Sequence, residues 1–210
     1  MKQLDNSSYY FPKELIDEYL SYFNSIRDNK MSLKDVPIKY RVGSICLESV
    51  RNRGNALSFI PEQLRSETIC LESIKYNGVA LRYVPDKLRT LELCTIAINN
   101  DGCAIQYVPD KLRSEEMYLL GVKKGFTLQY VPYHLRTELI CFSAVINNGL
   151  SLQFVPDNLR SLELCTAAVT NNGYAIQDVP CIYRTDNICG IAFKTNKHAL
   201  DYVLESYELK

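Results

Sequence analysis

The sequence predicts an all-α fold: a right-handed α-solenoid of 24-residue repeats, each one full helix plus a short or 3₁₀ helix, in a single elongated domain. Three observations carry this. All eight prolines form one series, Pro12, Pro37, Pro61, Pro85, Pro109, Pro132, Pro156 and Pro180, at spacings of 25, 24, 24, 24, 23, 24 and 24 residues. The phrase YVPDKLR occurs twice and returns as DVPIKYR, FIPEQLR, YVPYHLR, FVPDNLR and DVPCIYR. After each phrase the apolar residues run at helical spacing, as Leu93, Cys94, Ala97 and Ile98 do.

Taken in order, residues 1–36 depart most from the pattern. Phe11-Pro12-Lys13-Glu14-Leu15 opens a helix with proline near its first turn, and Leu15, Tyr19, Tyr22, Phe23 and Ile26 follow at helical spacing. This segment reads as an N-terminal helical cap with a polar outer face. Residues 37–203 read as seven tandem repeats and 204–210 as a C-terminal tail or cap.

Inside a repeat, Thr90 is a candidate N-cap, a slot filled elsewhere by Ser66, Ser114, Thr137, Ser161 and Thr185. Acids follow in the first turn, where the helix dipole favours them. A helix of about eleven residues then ends at Asn99-Asn100-Asp101-Gly102. Gly102, like Gly54, Gly78, Gly125, Gly149 and Gly173, is expected as a left-handed C′ residue. Next come a short helical turn at 103–107 and a second one opened by Pro109, because proline and the valine before it disfavour a continuous helix. Small residues hold one helix slot throughout: Ser49, Ser73, Ala97, Gly121, Ala144, Ala168 and Ala192. A leucine-rich repeat shares the period but requires L-x-L on a strand, and this spacing is helical. The repeat Pro109 to Val131 is one residue short, so its main helix is expected to lose part of a turn and bend the superhelix.

Cysteine stands nine residues after six of the seven repeat prolines, at Cys46, Cys70, Cys94, Cys141, Cys165 and Cys189, with Tyr118 in the fourth repeat. Consecutive slots lie one repeat apart, roughly 9–10 Å, too far for a disulfide. Free thiols packed as small hydrophobes are expected, and with them a reducing, cytoplasmic compartment. Twenty-four basic and 24 acidic residues balance, which gives no global drive toward nucleic acid or an anionic membrane. No apolar run reaches the length of a membrane span, and MKQLDNSSYYFPKEL lacks the apolar core of a signal peptide. A soluble monomer is expected.

TICLESIKYNGVALRYVP, ELICFSAVINNGLSLQFVP and ELCTAAVTNNGYAIQDVP resemble a family of short helical repeats built on an "AVxxNGxALxY" phrase and known as a domain of unknown function. The resemblance covers about 37–203, and one domain of that family spans roughly two of these units. Its members occur in protists, large DNA viruses and intracellular bacteria, secreted effectors among them. The resemblance implies a helical array without known catalytic residues, and action in a host cytosol if this chain is an effector. The chain departs from the family by its proline, where alanine or serine is common.

No catalytic constellation is present: His134 and His198 lie 64 residues apart, and no Gly-rich phosphate loop, HExxH, GxSxG or CxxC occurs. The expectation is a non-enzyme with no cofactor and no metal. An arginine ladder, Arg41, Arg65, Arg89, Arg113, Arg136, Arg160 and Arg184, could grip phosphates. Its bland alternative is to satisfy backbone carbonyls, or to pair with Glu67, Asp86 or Glu138. Beside it run Gln106, Gln129, Gln153 and Gln177, with Arg82 and Asp201 in the same slot, and the rings Phe59, Tyr83, Tyr107, Tyr130, Phe154 and Tyr202. Such ladders read single-stranded RNA in some arrays, but reading positions vary and these are nearly uniform. A protein partner is the favoured expectation, with single-stranded RNA as the alternative. One outward slot reads Arg51, Lys75, Asn99, Lys123, Ile146, Thr170 and Lys194, so Ile146 alone is apolar. Phe142 lies four residues earlier on the same face, and Leu119 holds its slot one repeat before. These three are candidate anchors for the partner, with Phe126, Tyr133 and Leu150 at the rim.

Overall fold

The computed structural model describes residues 12–199 and Tyr202, so the expectations for Phe11, Asp201 and the 204–210 tail lie outside the described residues. Contacts divide the chain into two compact units, Met1–Leu88 and Arg89–Lys210. The boundary falls inside a VPDKLR phrase.

The first unit holds α1 (Lys13–Arg27), α2 (Gly43–Asn52) and α3 (Glu67–Tyr76). The second holds α4 (Leu91–Asn100), α5 (Glu115–Lys123), α6 (Glu138–Asn147), α7 (Leu162–Asn171) and α8 (Asp186–Thr195). Between helices lie paired 3₁₀ segments such as Gly149–Phe154 and Asp157–Leu159, and no strand occurs among the described residues. Within each unit a helix packs on the next helix and on the 3₁₀ segment before it, giving one row of helices and one of 3₁₀ turns. Repeat helices run ten residues, and α5, in the short repeat, runs nine.

The core follows the periodic slots. Ile45, Cys46, Ser49 and Val50 on α2 are buried, as are Ile140, Cys141, Ala144 and Val145 on α6. The six cysteines of the slot are buried thiols. Cys70 and Cys141 donate weakly to the carbonyls of Arg65 and Arg136 at 3.7 and 3.6 Å. Burial pushes the Cys46, Cys70 and Cys141 thiols up to about 11, so they stay protonated at neutral pH.

Helix starts match the sequence reading with one exception. Ser66, Thr90, Ser114, Ser161 and Thr185 accept from the backbone N–H three residues on. Thr137 does not; its hydroxyl donates instead to Glu115 Oε1 at 3.0 Å.

Helix ends correct the sequence reading. The residue before the glycine is extended, as at Asn148 (φ −151°, ψ 106°) and Asn172 (φ −147°, ψ 113°), and the glycine opens the 3₁₀ segment without positive φ. Glycine is required by close approach: a Cβ on Gly149 would stand 2.3 Å from the Ala168 carbonyl oxygen of α7, and one on Gly173 2.5 Å from that of Ala192. The small-residue slot is thus where the next helix offers bare backbone to the preceding glycine. The two asparagines also have separate tasks. Asn147 and Asn171 donate back to the Val122 and Ile146 carbonyls of the preceding helix, both at 2.8 Å, while Asn148 and Asn172 cap the 3₁₀ turn through Leu150 and Tyr174 N–H.

The expected left-handed glycine is present once, in the short repeat. Gly125 has φ +93°, with Gly125 N–H bonded to Val122 O and Phe126 N–H to Gly121 O, a Schellman motif. Deleting a residue there swaps one helix ending for another. Phe126 becomes the buried apolar residue of that motif and packs against the Tyr130 ring, with centroids 6.0 Å apart.

On α1, Ile26 is buried and Tyr19, Tyr22 and Phe23 are half-buried, as their spacing predicts. Leu15 is exposed, together with Ile16 and Leu20, so the outer face is not wholly polar as expected for a cap.

Candidate functional site

Each element of a repeat presents its own candidate surface. On the 3₁₀ row, the arginine ladder is spent on the fold. Arg136 donates through Nε to Val131 O at 3.0 Å and through its terminal nitrogens to Gln129 O at 3.1 Å and Phe154 O at 2.7 Å. Arg41 and Arg160 repeat the pattern, and Arg65 bonds Ile60 O and Tyr83 O. Arg89 reaches Tyr107 O, and Arg184 reaches Val179 O and Gln177 O. Arg41, Arg65, Arg136 and Arg160 therefore bridge the end of their own 3₁₀ segment to that of the next repeat, 18 residues on, while Arg113 bonds Val108 O and Gln106 O of its own repeat. Carbonyls are the main partners, and Glu67 and Glu138 form no ion pair with the ladder among the described residues. Where an acid joins, it is three residues back, Asp110 for Arg113 and Asp157 for Arg160. Gln106, Gln129, Gln153 and Gln177 are exposed, while the rings beside them range from half-buried (Tyr83, Tyr107, Phe154) to exposed (Phe59, Tyr130). With its donors on carbonyls, the ladder has lost most of its means of gripping phosphates.

One ladder position is anomalous. Asp178 holds the aromatic slot, half-buried, and its Oδ2 has no hydrogen-bond partner. Burial raises its pKa despite Arg160 and Arg184 nearby. A raised carboxyl pKa means that the folded state disfavours the ionised form, so stability is lost as pH rises through the folded pKa. Asp178→Asn is therefore expected to raise the melting temperature at pH 7. That gain should shrink as pH falls toward and below the ordinary carboxyl value of 3.8, where the wild-type carboxyl becomes protonated. A melting temperature that instead drops at pH 7 would show the carboxylate serving the two arginines.

The helix row carries the groove. On α2 and α3 the outward face is an ion-pair network: Arg51 with Glu48 and Glu72, and Lys75 with Glu72 at 2.7 Å. On α6 and α7 the same slots hold Ser143 with Ile146 and Ala167 with Thr170. Losing the long charged chains opens a groove of about 800 Å³, lined by Phe142, Ile146, Leu162, Glu163, Thr166, Ala167, Thr170 and Asn171. A second hollow of about 490 Å³ shares Phe142 and Glu163 and extends past Leu139 to Glu138 and Glu115. Leu139, Ile146 and Leu162 are 57%, 52% and 50% exposed, which is large for branched aliphatic side chains. Helix α6 thus has two apolar faces, an inward one of Ile140, Cys141, Ala144 and Val145, and an outward one of Leu139, Phe142 and Ile146 at i, i+3 and i+7.

Of the six predicted partner residues, the groove joins Phe142 and Ile146. Leu119 and Leu150 are half-buried and do not line it. Tyr133 is exposed on the 3₁₀ row, where its ring meets Arg136 at 5.7 Å. Phe126 is buried in the Schellman turn and is a core residue rather than a rim contact. Leu139 and Leu162 were missed by the sequence reading. The signal existed at Leu139, where the polar residues Ser44, Thr68, Glu92, Glu116, Glu163 and Asn187 stand in the other repeats.

The family model for a domain of unknown function, DUF4116, matches residues 44–89, 66–113, 90–136 and 137–184, so each match spans about two repeats. The chain belongs to the DUF4116 family. Comparison with curated proteins and with solved structures gave no match. The DUF4116 matches take in α2 to α7 and hence the whole groove. Among the described residues, no helix is long and apolar enough to cross a membrane.

Proposed function

We propose that this DUF4116 chain is a non-catalytic scaffold whose repeats form a rigid backing for a protein-docking groove on α6 and α7. The observation that carries the reading is the second apolar face of α6, Leu139, Phe142 and Ile146, in a row whose other helices keep polar or charged residues at the Ile146 slot. The core residues of α6, Ile140, Cys141, Ala144 and Val145, lie on its other face, while Leu139 and Ile146 stay exposed beside the half-buried Phe142. Large apolar anchors beside small residues are what a helix-binding groove needs. The RNA alternative loses ground because the arginines it requires are committed to carbonyls.

The test copies residues from α7 onto α6. Phe142→Thr with Ile146→Thr reproduces Thr166 and Thr170, so the fold should survive with unchanged circular dichroism. Capture of a protein partner from the native cell, or from a host cell given the resemblance to effectors, is expected with the wild type and lost with the variant. Undiminished capture would place docking elsewhere.

A further inference from the structure

The acids around the groove say what kind of partner suits it. Glu115, Glu138 and Glu163 line the hollows on either side of Phe142, and no Lys, Arg or His lines either one. All three are exposed, and among the described residues none is in an ion pair, whereas Glu72 on α3 is held by Arg51 and Lys75. Each glutamate sits in the first turn of its helix, where the dipole stabilises a carboxylate without a basic neighbour. The charge on this rim is thus left over for something outside the chain.

The occupant's backbone is constrained too. There is no strand among the described residues, so an extended peptide finds no sheet edge to join. Pairing this face with the same face of a second copy would set glutamate against glutamate. We propose that the groove takes a basic amphipathic helix of a partner protein, a proposal that rests on the docking reading above and adds the partner's chemistry. Ten residues of α6 extend about 15 Å. The visiting helix meets Phe142, Ile146 and Leu162 with apolar residues at i, i+3 or i+4, and i+7, and its flanking Lys or Arg side chains meet the glutamates.

The probe is a fluorescein-labelled Leu/Lys amphipathic peptide of about 18 residues, set against a Leu/Glu peptide of the same apolar pattern. Both are titrated with the full chain by fluorescence anisotropy. The Leu/Lys peptide is expected to bind at least ~10-fold tighter and to weaken several-fold between about 0.05 and 0.5 M NaCl. It should protect amides of α6 and α7 from hydrogen exchange, and Phe142→Thr with Ile146→Thr should abolish its binding. Glu138→Gln with Glu163→Gln should bring the two peptides to within about twofold of each other. Equal binding of both peptides by the wild type, still lost in the threonine variant, overturns the basic partner and leaves the docking reading standing. Leu/Lys binding that survives the threonine variant, or protection away from α6 and α7, overturns both. Failure of the Leu/Lys peptide to bind overturns the basic partner, and the docking reading is then judged by capture alone.

Discussion

Gly149→Ala is expected to be, with Gly102→Ala, among the most damaging single methyls that can be added to this chain. The new Cβ would lie 2.3 Å from Ala168 O, 3.0 Å from Asn172 N and 3.1 Å from Asn172 Cβ. Two of those atoms are backbone of α7 and of its C-cap residue and cannot swing aside, so the helix must move off the 3₁₀ segment. Overpacking of this kind costs ~3 kcal/mol or more, which for a chain of this size lowers the melting temperature by about 10 °C. Gly190→Ala is the control: nothing lies within 4 Å of its Cβ, it sits inside α8, and helix propensity predicts a gain of about 0.5–1 kcal/mol. Asparagine separates the two uses of glycine. Gly125→Asn should be tolerated, because asparagine enters the left-handed region, and Gly149→Asn should be worse than Gly149→Ala. Equal melting temperatures for Gly149→Ala and the wild type would refute the close approach.

Arg136→Lys is expected to destabilise by about 2–4 kcal/mol, read from urea unfolding. A lysine keeps the charge but carries one compact ammonium, which cannot span Val131, Gln129 and Phe154 carbonyls together. The carbonyl of the following repeat, Phe154 O at 2.7 Å, would lose its partner. Arg113→Lys should cost less. Arg113 spends one terminal nitrogen on exposed Asp110 at 3.0 Å, a contact worth little in water. If both substitutions cost the same, the arginines act by charge and not through their forked geometry.

The features legible in the sequence were those that a slot repeats identically. The proline period, the buried cysteines and the small residues at Ser73, Ala97 or Ala168 each have one physical explanation, and the structure shows it. Gly149 was misread because glycine answers two different demands, a left-handed backbone and the absence of a Cβ, and residue identity cannot separate them. What separates them lies on another helix, at the Ala168 carbonyl. The Asn-Asn pair hid its division of labour for the same reason: one partner is local and the other is a helix away. Phe142 and Ile146 were legible as departures from their slots. Phe126 was misplaced because removing one residue changed the turn type and turned that side chain inward. Leu139 and Leu162 escaped notice because each lies within two residues of a helix cap, next to the core positions Ile140 and Leu164.

The arginine bridges have a consequence for how such chains diversify. A guanidinium that grasps a main-chain carbonyl does not distinguish which side chain that residue bears; Arg65, Arg136 and Arg160 accept Tyr83, Phe154 and Asp178 alike. The joint between successive units is therefore indifferent to the identity of the unit that follows. Gene segments encoding one unit could be copied, dropped or shuffled in frame without redesigning the joint. The outward helix surface would stay free to drift toward new binding specificities while the mechanics of assembly remained constant.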